Sequence, residues 1–278
     1  MLASQIEIVP FRPDHIEGAH VLSQQAGWPH RKEDWAMVLS LSKGFVALEG
    51  DRVVGTAMAT LYGETCATVN MVIVDASMRG RGLGRKLMDK ALAAAEGREC
   101  RLVATQDGLP LYEKLGFVVT GEVLQHHGLV KEGLVAPTSV TWVEQDVAGT
   151  LIALDAQAFG VDRTSLYERL SHQGRLAVLR DGARICGFIA LRAFGRGEVA
   201  GPLVASNVED AKALLSFVFA QRAGHFLRVD TLVDTGLAPW LTDHGLLNAG
   251  GGLPMRRNAA PFSPSTVKTY ALASQALG

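Results

Sequence analysis

The sequence predicts a mixed α/β protein of two tandem units, each a mixed twisted sheet flanked by helices, over residues 1–135 and 140–278. Three observations predict it. A chain of 278 residues is too long for one average domain and long enough for each of two to bury its own core. The halves repeat one another: Glu49-Gly50-Asp51-Arg52-Val53-Val54-Gly55 is echoed by Asp181-Gly182-Ala183-Arg184-Ile185-Cys186-Gly187, which sets Gly55 and Gly187 132 residues apart. Within each half, strand-like and helix-like periods alternate, as they do where helices cover a mixed sheet.

Taken in order, Asp14 matches Asp146 at the same spacing, and Ala26-Gly27 matches Phe159-Gly160 at a spacing of 133. The two echoed segments each read as strand, glycine-containing turn, strand, which is a hairpin signal. Val69 to Val74 is rich in β-branched residues and too short for a typical helix, so it reads as a buried strand. A helix follows: Leu83, Leu87, Met88, Ala91, Leu92 and Ala95 share one face, Arg85, Lys86, Asp89 and Lys90 lie mostly on the other, and Gly97 supplies a stop. Pro110-Leu111-Tyr112 with Gly116-Phe117 matches Pro239-Trp240-Leu241 with Gly245-Leu246 at a spacing of 129, so the second copy has lost about three residues in between. Here Gly116 is expected to end a helix in the left-handed conformation and Phe117 to start a buried strand. Gly128 to Ser139, with Gly133 and Pro137 and little periodicity, reads as the linker.

Composition bounds the function classes. Hydrophobic residues make up 48% and charged residues 20%, an ordinary globular balance, and no apolar run approaches the roughly 20 residues of a membrane span. The formal charge of -1 offers no footprint for nucleic acid. Met1 to Pro10 lacks a basic flank followed by an apolar core, so no secretory signal is read and a cytoplasmic protein is expected. Cys66, Cys100 and Cys186 are odd in number and far apart, which points to buried thiols rather than disulfides; His126 and His127 have no partner at ligand spacing, so no metal is expected.

Between the strand and the helix of the first unit lies Asp75-Ala76-Ser77-Met78-Arg79-Gly80-Arg81-Gly82-Leu83-Gly84-Arg85. Glycines let a backbone approach a ligand closely, the helix start leaves N–H groups unpaired, and the macrodipole places partial positive charge there, so the turn is suited to an anion. Arg79, Arg81 and Arg85 add full charges, which favours a pyrophosphate over a carboxylate. The dinucleotide fingerprint fails because Arg85 stands where its third glycine belongs, and the P-loop fails for want of Gly-Lys before Ser or Thr.

Arg79, Gly82 and Gly84 after a strand match the Arg/Gln-x-x-Gly-x-Gly/Ala signature, and Leu111-Tyr112-Glu113-Lys114-Leu115-Gly116-Phe117 about thirty residues later matches a second motif. On these two segments the chain resembles the GNAT (GCN5-related N-acetyltransferase) superfamily over roughly Gln5 to Val123. The resemblance implies acetyl-CoA as acyl donor. It implies that backbone groups of Val72, Ile73 and Val74 hold the pantetheine arm, and that amides of Arg79, Gly80, Arg81, Gly82, Leu83, Gly84 and Arg85 hold the pyrophosphate. It implies that Tyr112 protonates the departing thiolate. The sequence departs from the pattern at Ala76, where a proline is usual, and at Thr105, where many relatives have an asparagine that steadies the cofactor.

The second unit lacks the chemistry. Gly201-Pro202-Leu203-Val204-Ala205 leads into a helix through Ser206 and Asn207 with neither glycine nor arginine, Glu209 and Asp210 would repel phosphate, and Leu241 replaces the tyrosine. This unit is either a scaffold or a wall of the acceptor pocket, in which Asp155, Asp162, Asp230 and Asp234 would attract a cationic amine. For the base that deprotonates the acceptor, Glu64 and His30 are the candidates; Trp28 and Trp35 either shape the acceptor pocket or belong to the core.

The expected activity is therefore transfer of an acetyl group to an amine, of a small molecule in the first instance, by direct attack in a ternary complex. The rivals are a non-catalytic acyl-CoA sensor, and an acyltransferase using a longer acyl-CoA or a hydroxyl acceptor. A tandem chain contains within itself the contact that single-domain relatives make by dimerising, so a monomer is expected.

Overall fold

The structure is a computed structural model that describes residues 6–143, 147–261 and 265–278; Gln5 at the edge of the resemblance and Asp146 of the repeat lie outside the described residues. The first copy runs β1 (Ile6–Pro10), α1 (Ile16–Gln25), α2 (Lys32–Ser40), β2 (Ser42–Glu49), β3 (Arg52–Tyr62), β4 (Cys66–Val74), α3 (Leu83–Ala95), β5 (Glu99–Ala104), α4 (Leu109–Lys114), β6 (Val118–Val119) and β7 (Val123–Leu129). The second runs β8 (Val140–Trp142), α5 (Ala148–Phe159), α6 (Thr164–Gln173), β9 (Gly174–Asp181), β10 (Arg184–Phe194), β11 (Gly197–Ala205), α7 (Val208–Ala220), β12 (Phe226–Leu232), α8 (Ala238–Asp243), β13 (Leu247–Arg257) and β14 (Lys268–Ala271).

The repeat survives in element lengths: β4 and β11 each have 9 residues, α3 and α7 each 13. Both echoed segments are hairpins, β2 to β3 and β9 to β10, with the glycines of the turns at positive φ. The helix read from Leu83 to Ala95 is α3, because its apolar positions, nearly all buried, make a stripe that packs on β3, β4 and β2. Gly116 adopts φ 82° after α4 as its capping position requires. Phe117 is buried, but the strand after it is only two residues long and exposed; it serves as a short edge on β13. The linker starts later than the composition suggests: Gly128 and Leu129 still belong to β7, held by pairing with β12. Of the three cysteines, Cys66 and Cys100 are buried, whereas Cys186 is partly exposed.

Strand order across the whole sheet path is β1-β2-β3-β4-β5-β13-β7-β12-β14-β11-β10-β9-β8. The two copies therefore exchange a strand. β13 of the second copy pairs with β5 of the first, with Leu253 opposite Ala104 and Arg257 opposite Cys100, while β7 of the first pairs with β12 of the second, with Leu129 opposite Phe226. A core shared by both halves holds Trp35, Met58 and Tyr62 against Leu151, Leu166 and Phe188; separate outer cores lie under α3 and under α7. Arg163 and Asp155, both fully buried, pair at 2.6 Å beside Tyr62, whose hydroxyl donates to Leu277 O at 2.8 Å.

Glu99 pins the exchanged strand. Only 5% exposed, it accepts from Arg256 of β13 at 2.6 and 2.7 Å, from Arg101 at 2.5 Å and from the Ala260 N–H at 3.2 Å. Burial pushes its carboxyl up, but Arg256 and Arg101 outweigh burial and hold it at about 2, below its ordinary 4.5. A carboxyl depressed on folding stabilises above its unfolded pKa, and that contribution disappears as pH falls from about 4.5 toward 2. Glu99→Gln is expected to cost roughly 2–4 kcal/mol at pH 7 and to flatten the decline of Tm with acid between pH 5 and 2. Parallel melts of the two proteins across that range check it, and an unchanged slope would remove Glu99 from this role.

Candidate active site

β4 carries the feature that opens the site. Its register with β3 slips between Thr56 opposite Ile73 and Met58 opposite Asn70, which puts one extra residue on β4. The bulge is fixed by the Thr56 hydroxyl donating to Met71 O at 2.6 Å, with Met71 at φ 49°. Parallel pairing with β5 holds only from Cys66 opposite Glu99 to Thr68 opposite Arg101. Beyond that point the strands splay, and two cavities fill the gap.

The outer cavity, about 720 Å³, is lined by Val72, Ile73 and Val74, by Arg79, Gly80, Gly82, Leu83, Gly84 and Arg85, and by Thr105 and Tyr112. Gly80 and Gly82 sit at φ 77° and 72° with nothing within 4 Å of where a Cβ would be. Any side chain there would be strained and would occupy the space in front of the turn. Lys86 N–H is the first in the helix to reach back, to Gly82 O at 3.2 Å, so the amides of Leu83, Gly84 and Arg85 have no intrahelical acceptor. Arg79 pairs with Asp107 at 3.5 Å and Arg85 with Asp89 at 2.9 Å. Both pairs are solvent-exposed and cheap to break, so either arginine can turn toward a bound phosphate. Arg81 is exposed and does not line the cavity. The cradle, the free amides and the unpaired edge beside Val72 fit an extended acyl-CoA arm ending in pyrophosphate.

The inner cavity, about 390 Å³, shares Trp28, Val72, Thr105 and Tyr112 with the outer one. Tyr112 thus stands where the two meet. It is 7% exposed, its ring lies against Gly108 and Phe117, and burial pushes its phenol up to about 12. Thr105 caps the start of α4 by accepting from the Gly108 N–H at 3.3 Å and lines both cavities.

Trp28 and His30 line the inner cavity, whereas Trp35 is fully buried in the shared core, stacked on Phe11 and donating to Ser23 Oγ at 3.2 Å. His30 Nδ1 has no partner among the described residues. Burial first, then the charge of Arg228, pushes the imidazole down to about 4, so it is neutral at every physiological pH. Glu64 lies elsewhere. It is exposed on the hairpin turn between β3 and β4, about 20 Å along β4 from Val72, and lines neither cavity. That distance removes it as the base, and Glu64→Gln is expected to leave the pH dependence of turnover unchanged.

The second copy does wall the inner cavity, through Phe194, Arg228, Ala249, Gly251, Ser274 and Gln275. The acidic residues expected there do not. Asp155 is spent on Arg163, Asp162 caps Thr164, Asp230 holds Arg228, and Asp234 is exposed outside the lining. Phe194, Arg228 and Gln275 carry no motif, and it is the tertiary structure that brings them into the cavity that Tyr112 lines.

The second copy cannot repeat the first for three physical reasons. Asn207 closes the start of α7 by accepting from the Asp210 N–H at 2.9 Å, and Glu209 and Asp210 fill the first turn. Leu241 is fully buried where the tyrosine would be. β14 lies in the splay between β11 and β12, pairing Ala271 with both Leu203 and Thr231, so the cleft that is open in the first copy is filled with the chain itself. Among the described residues no group of three or more His, Cys, Asp or Glu could hold a metal, and no helix is long and apolar enough to cross a membrane.

Comparison with known proteins agrees with this architecture. Residues 12–117 match the model described as the acetyltransferase (GNAT) family, and residues 151–271 a second described as an acetyltransferase (GNAT) domain. The chain is 27% identical over 283 residues to the uncharacterized N-acetyltransferase YitH of Bacillus subtilis (strain 168), covering 98% of each. Its fold is similar to a crystal structure of a candidate acetyltransferase from Pyrococcus horikoshii, with TM-score 0.84 and 20% identity over 100% of this chain and 97% of that one. A tandem GNAT protein from the clavulanic acid biosynthesis pathway superposes with TM-score 0.60 and 17% identity, covering 94% of this chain and 100% of that one.

Proposed function

The chain belongs to the GNAT family as a tandem of two such domains and is an acyltransferase, and from that premise we propose that it transfers an acetyl group from acetyl-CoA to an amine by direct attack in a ternary complex. The observation that carries the proposal is the position of Tyr112, which lines both the cradle-ended outer cavity and the inner cavity at their junction. A thioester reaching from the glycine turn along Val72 to Val74 would present its carbonyl at that junction. The amine would approach from the inner cavity, and Tyr112 Oη would hold a proton for the departing sulfur. The amides at the start of α3 and the Arg79 and Arg85 side chains would bind the pyrophosphate. Acetyl-CoA supplies the activated acyl group; the chain supplies position, water exclusion and the proton.

With His30 at about 4 and Tyr112 at about 12, neither group titrates between about pH 5 and 11. The acceptor itself must then lose its ammonium proton before attack. kcat/KM is expected to rise with pH up to the pKa of the acceptor amine, and the inflection should move when an acceptor of different basicity is used. An inflection fixed near pH 4 for every acceptor, where this imidazole titrates, would instead assign the base to His30.

Calorimetric titration with acetyl-CoA and with desulfo-CoA tests the donor site. One equivalent is expected to bind, and Arg79→Ala/Arg85→Ala is expected to weaken binding by roughly 10-fold or more, since each charge-assisted contact to phosphate contributes about 1.5–3 kcal/mol when made directly. Two equivalents, or no binding, would overturn the assignment of a single donor site to the first copy.

A further inference from the structure

The wall that the second copy presents to the inner cavity is cationic. Arg228 of β12 lines this cavity and a neighbouring one of about 220 Å³ that shares Gln125, Phe194 and Ala249 with it. Asp230, fully buried, holds Arg228 Nε at 3.0 and 3.1 Å and Nη2 at 2.8 Å and also accepts from Gln275 Nε2 at 3.2 Å. Arg228 Nη1 has no hydrogen-bond partner among the described residues, and the Phe194 ring centroid lies 5.1 Å from the guanidinium carbon. Arg196 lines the neighbouring cavity, exposed and with no ion pair among the described residues.

Next to His30, Arg31 and Arg192 share a single carboxylate, Asp34, at 2.8 and 3.8 Å. Arg192 Nε has no partner among the described residues, and burial pushes this guanidinium down to about 10. Two arginines, Arg228 and Arg196, thus line these cavities, Arg31 and Arg192 lie behind His30 outside the lining, and among the described residues no Asp or Glu lines either cavity. Arg228, 7% exposed, lines both cavities with one nitrogen lacking a partner among the described residues, so an anionic group bound there would complete its pairing.

We propose that the second copy supplies an anion subsite, and that the acceptor is an amine bearing an anionic group, held by Arg228 Nη1 and Arg196 while its amine faces Tyr112. The inference rests on the acyl-transfer reading of the site. Arg228 lines the inner cavity and not the outer one that holds the glycine turn, so the subsite is separate from the one for the donor's phosphates. Asp230 presents the guanidinium from behind and leaves one nitrogen for the substrate. A polyamine or other polycation would meet uncompensated like charge there and is disfavoured.

The test uses the full-length protein and matched acceptors: α-amino acids, their carboxamides, their phosphonate analogues, and a polyamine. The anionic members are expected to be acetylated with kcat/KM roughly 10- to 100-fold above the carboxamides, mostly through KM. Because Arg228→Gln alone would strand Asp230 as a buried charge, the variant is Arg228→Gln/Asp230→Asn, which removes the ion pair as a unit; Arg196→Gln is the second variant. In the double variant the preference should fall to within about threefold, with acetyl-CoA affinity unchanged. The ranking of carboxylate against phosphonate identifies which anion the subsite takes. Carboxamides or the polyamine being equal or better acceptors for the wild type overturns the proposal, as does a preference that survives in both variants, or acetyl-CoA binding with transfer to no anionic amine. Failure to bind acetyl-CoA at all would instead overturn the reading on which it rests.

Discussion

Replacing Tyr112 by phenylalanine is expected to lower kcat by about 10²- to 10⁴-fold while leaving acetyl-CoA affinity within about threefold. The substitution keeps the ring that packs against Gly108 and Phe117 and removes only the hydroxyl. Burial, which pushes the phenol up to about 12, keeps it protonated across the physiological range, so the wild type should show no alkaline limb from this group below about pH 11. The loss should appear in kcat rather than KM, because the contact strengthens only as negative charge develops on the departing sulfur. Steady-state kinetics with calorimetry of donor binding separates the two. A loss of less than threefold in kcat would show that Tyr112 only shapes the junction and that the proton comes from elsewhere.

Ending the chain after Ser139 is expected to abolish folding rather than release an active first domain. β5 would lose β13 along Ala104 to Cys100, and β7 would lose both its partners, β12 and β13, leaving one edge of β5 and both edges of β7 with unpaired backbone groups. The shared core would open as well, exposing the faces of Trp35, Met58 and Tyr62 now covered from the second copy. At about 2–3 kcal/mol for each large side chain returned to water, a handful of these equals the whole stability of an ordinary domain. Size-exclusion chromatography and thermal melting of residues 1–139 check this. A monomeric fragment with a cooperative transition would mean that the first copy re-forms its sheet without the exchange.

Local chemistry was the legible part of the site. Asp75 to Arg85 announces an anion-binding helix start by residue type alone, and Leu111 to Phe117 announces a capped helix carrying Tyr112, since glycine conformation, helix ends and apolar periodicity act within a few residues. The repeat was legible for the same reason, as a succession of short signals read twice. Illegible were the roles that depend on contact at long range. Glu64 satisfies the chemistry of a base but sits at the wrong end of β4, and a residue type says nothing about which end of a strand faces a substrate. Two further roles were hidden at short range: Asp155 and Asp230 look like free carboxylates in the sequence and are tied to Arg163 and Arg228, because spacing along the chain does not say which neighbouring charges are buried against each other.

The sequence by itself determined the family, the α/β units, the single glycine-rich cradle and the loss of that cradle from the second copy, because each is written in segments shorter than about fifteen residues. Only the tertiary structure decided that the copies exchange strands, that β14 fills the second cleft, and that Arg228, Phe194 and Gln275 complete the inner cavity. Strand pairing supplies the physical reason. A β-strand's backbone donors and acceptors are the same whatever its side chains, so the choice of partner falls to the burial of side chains across both halves, which no local pattern records.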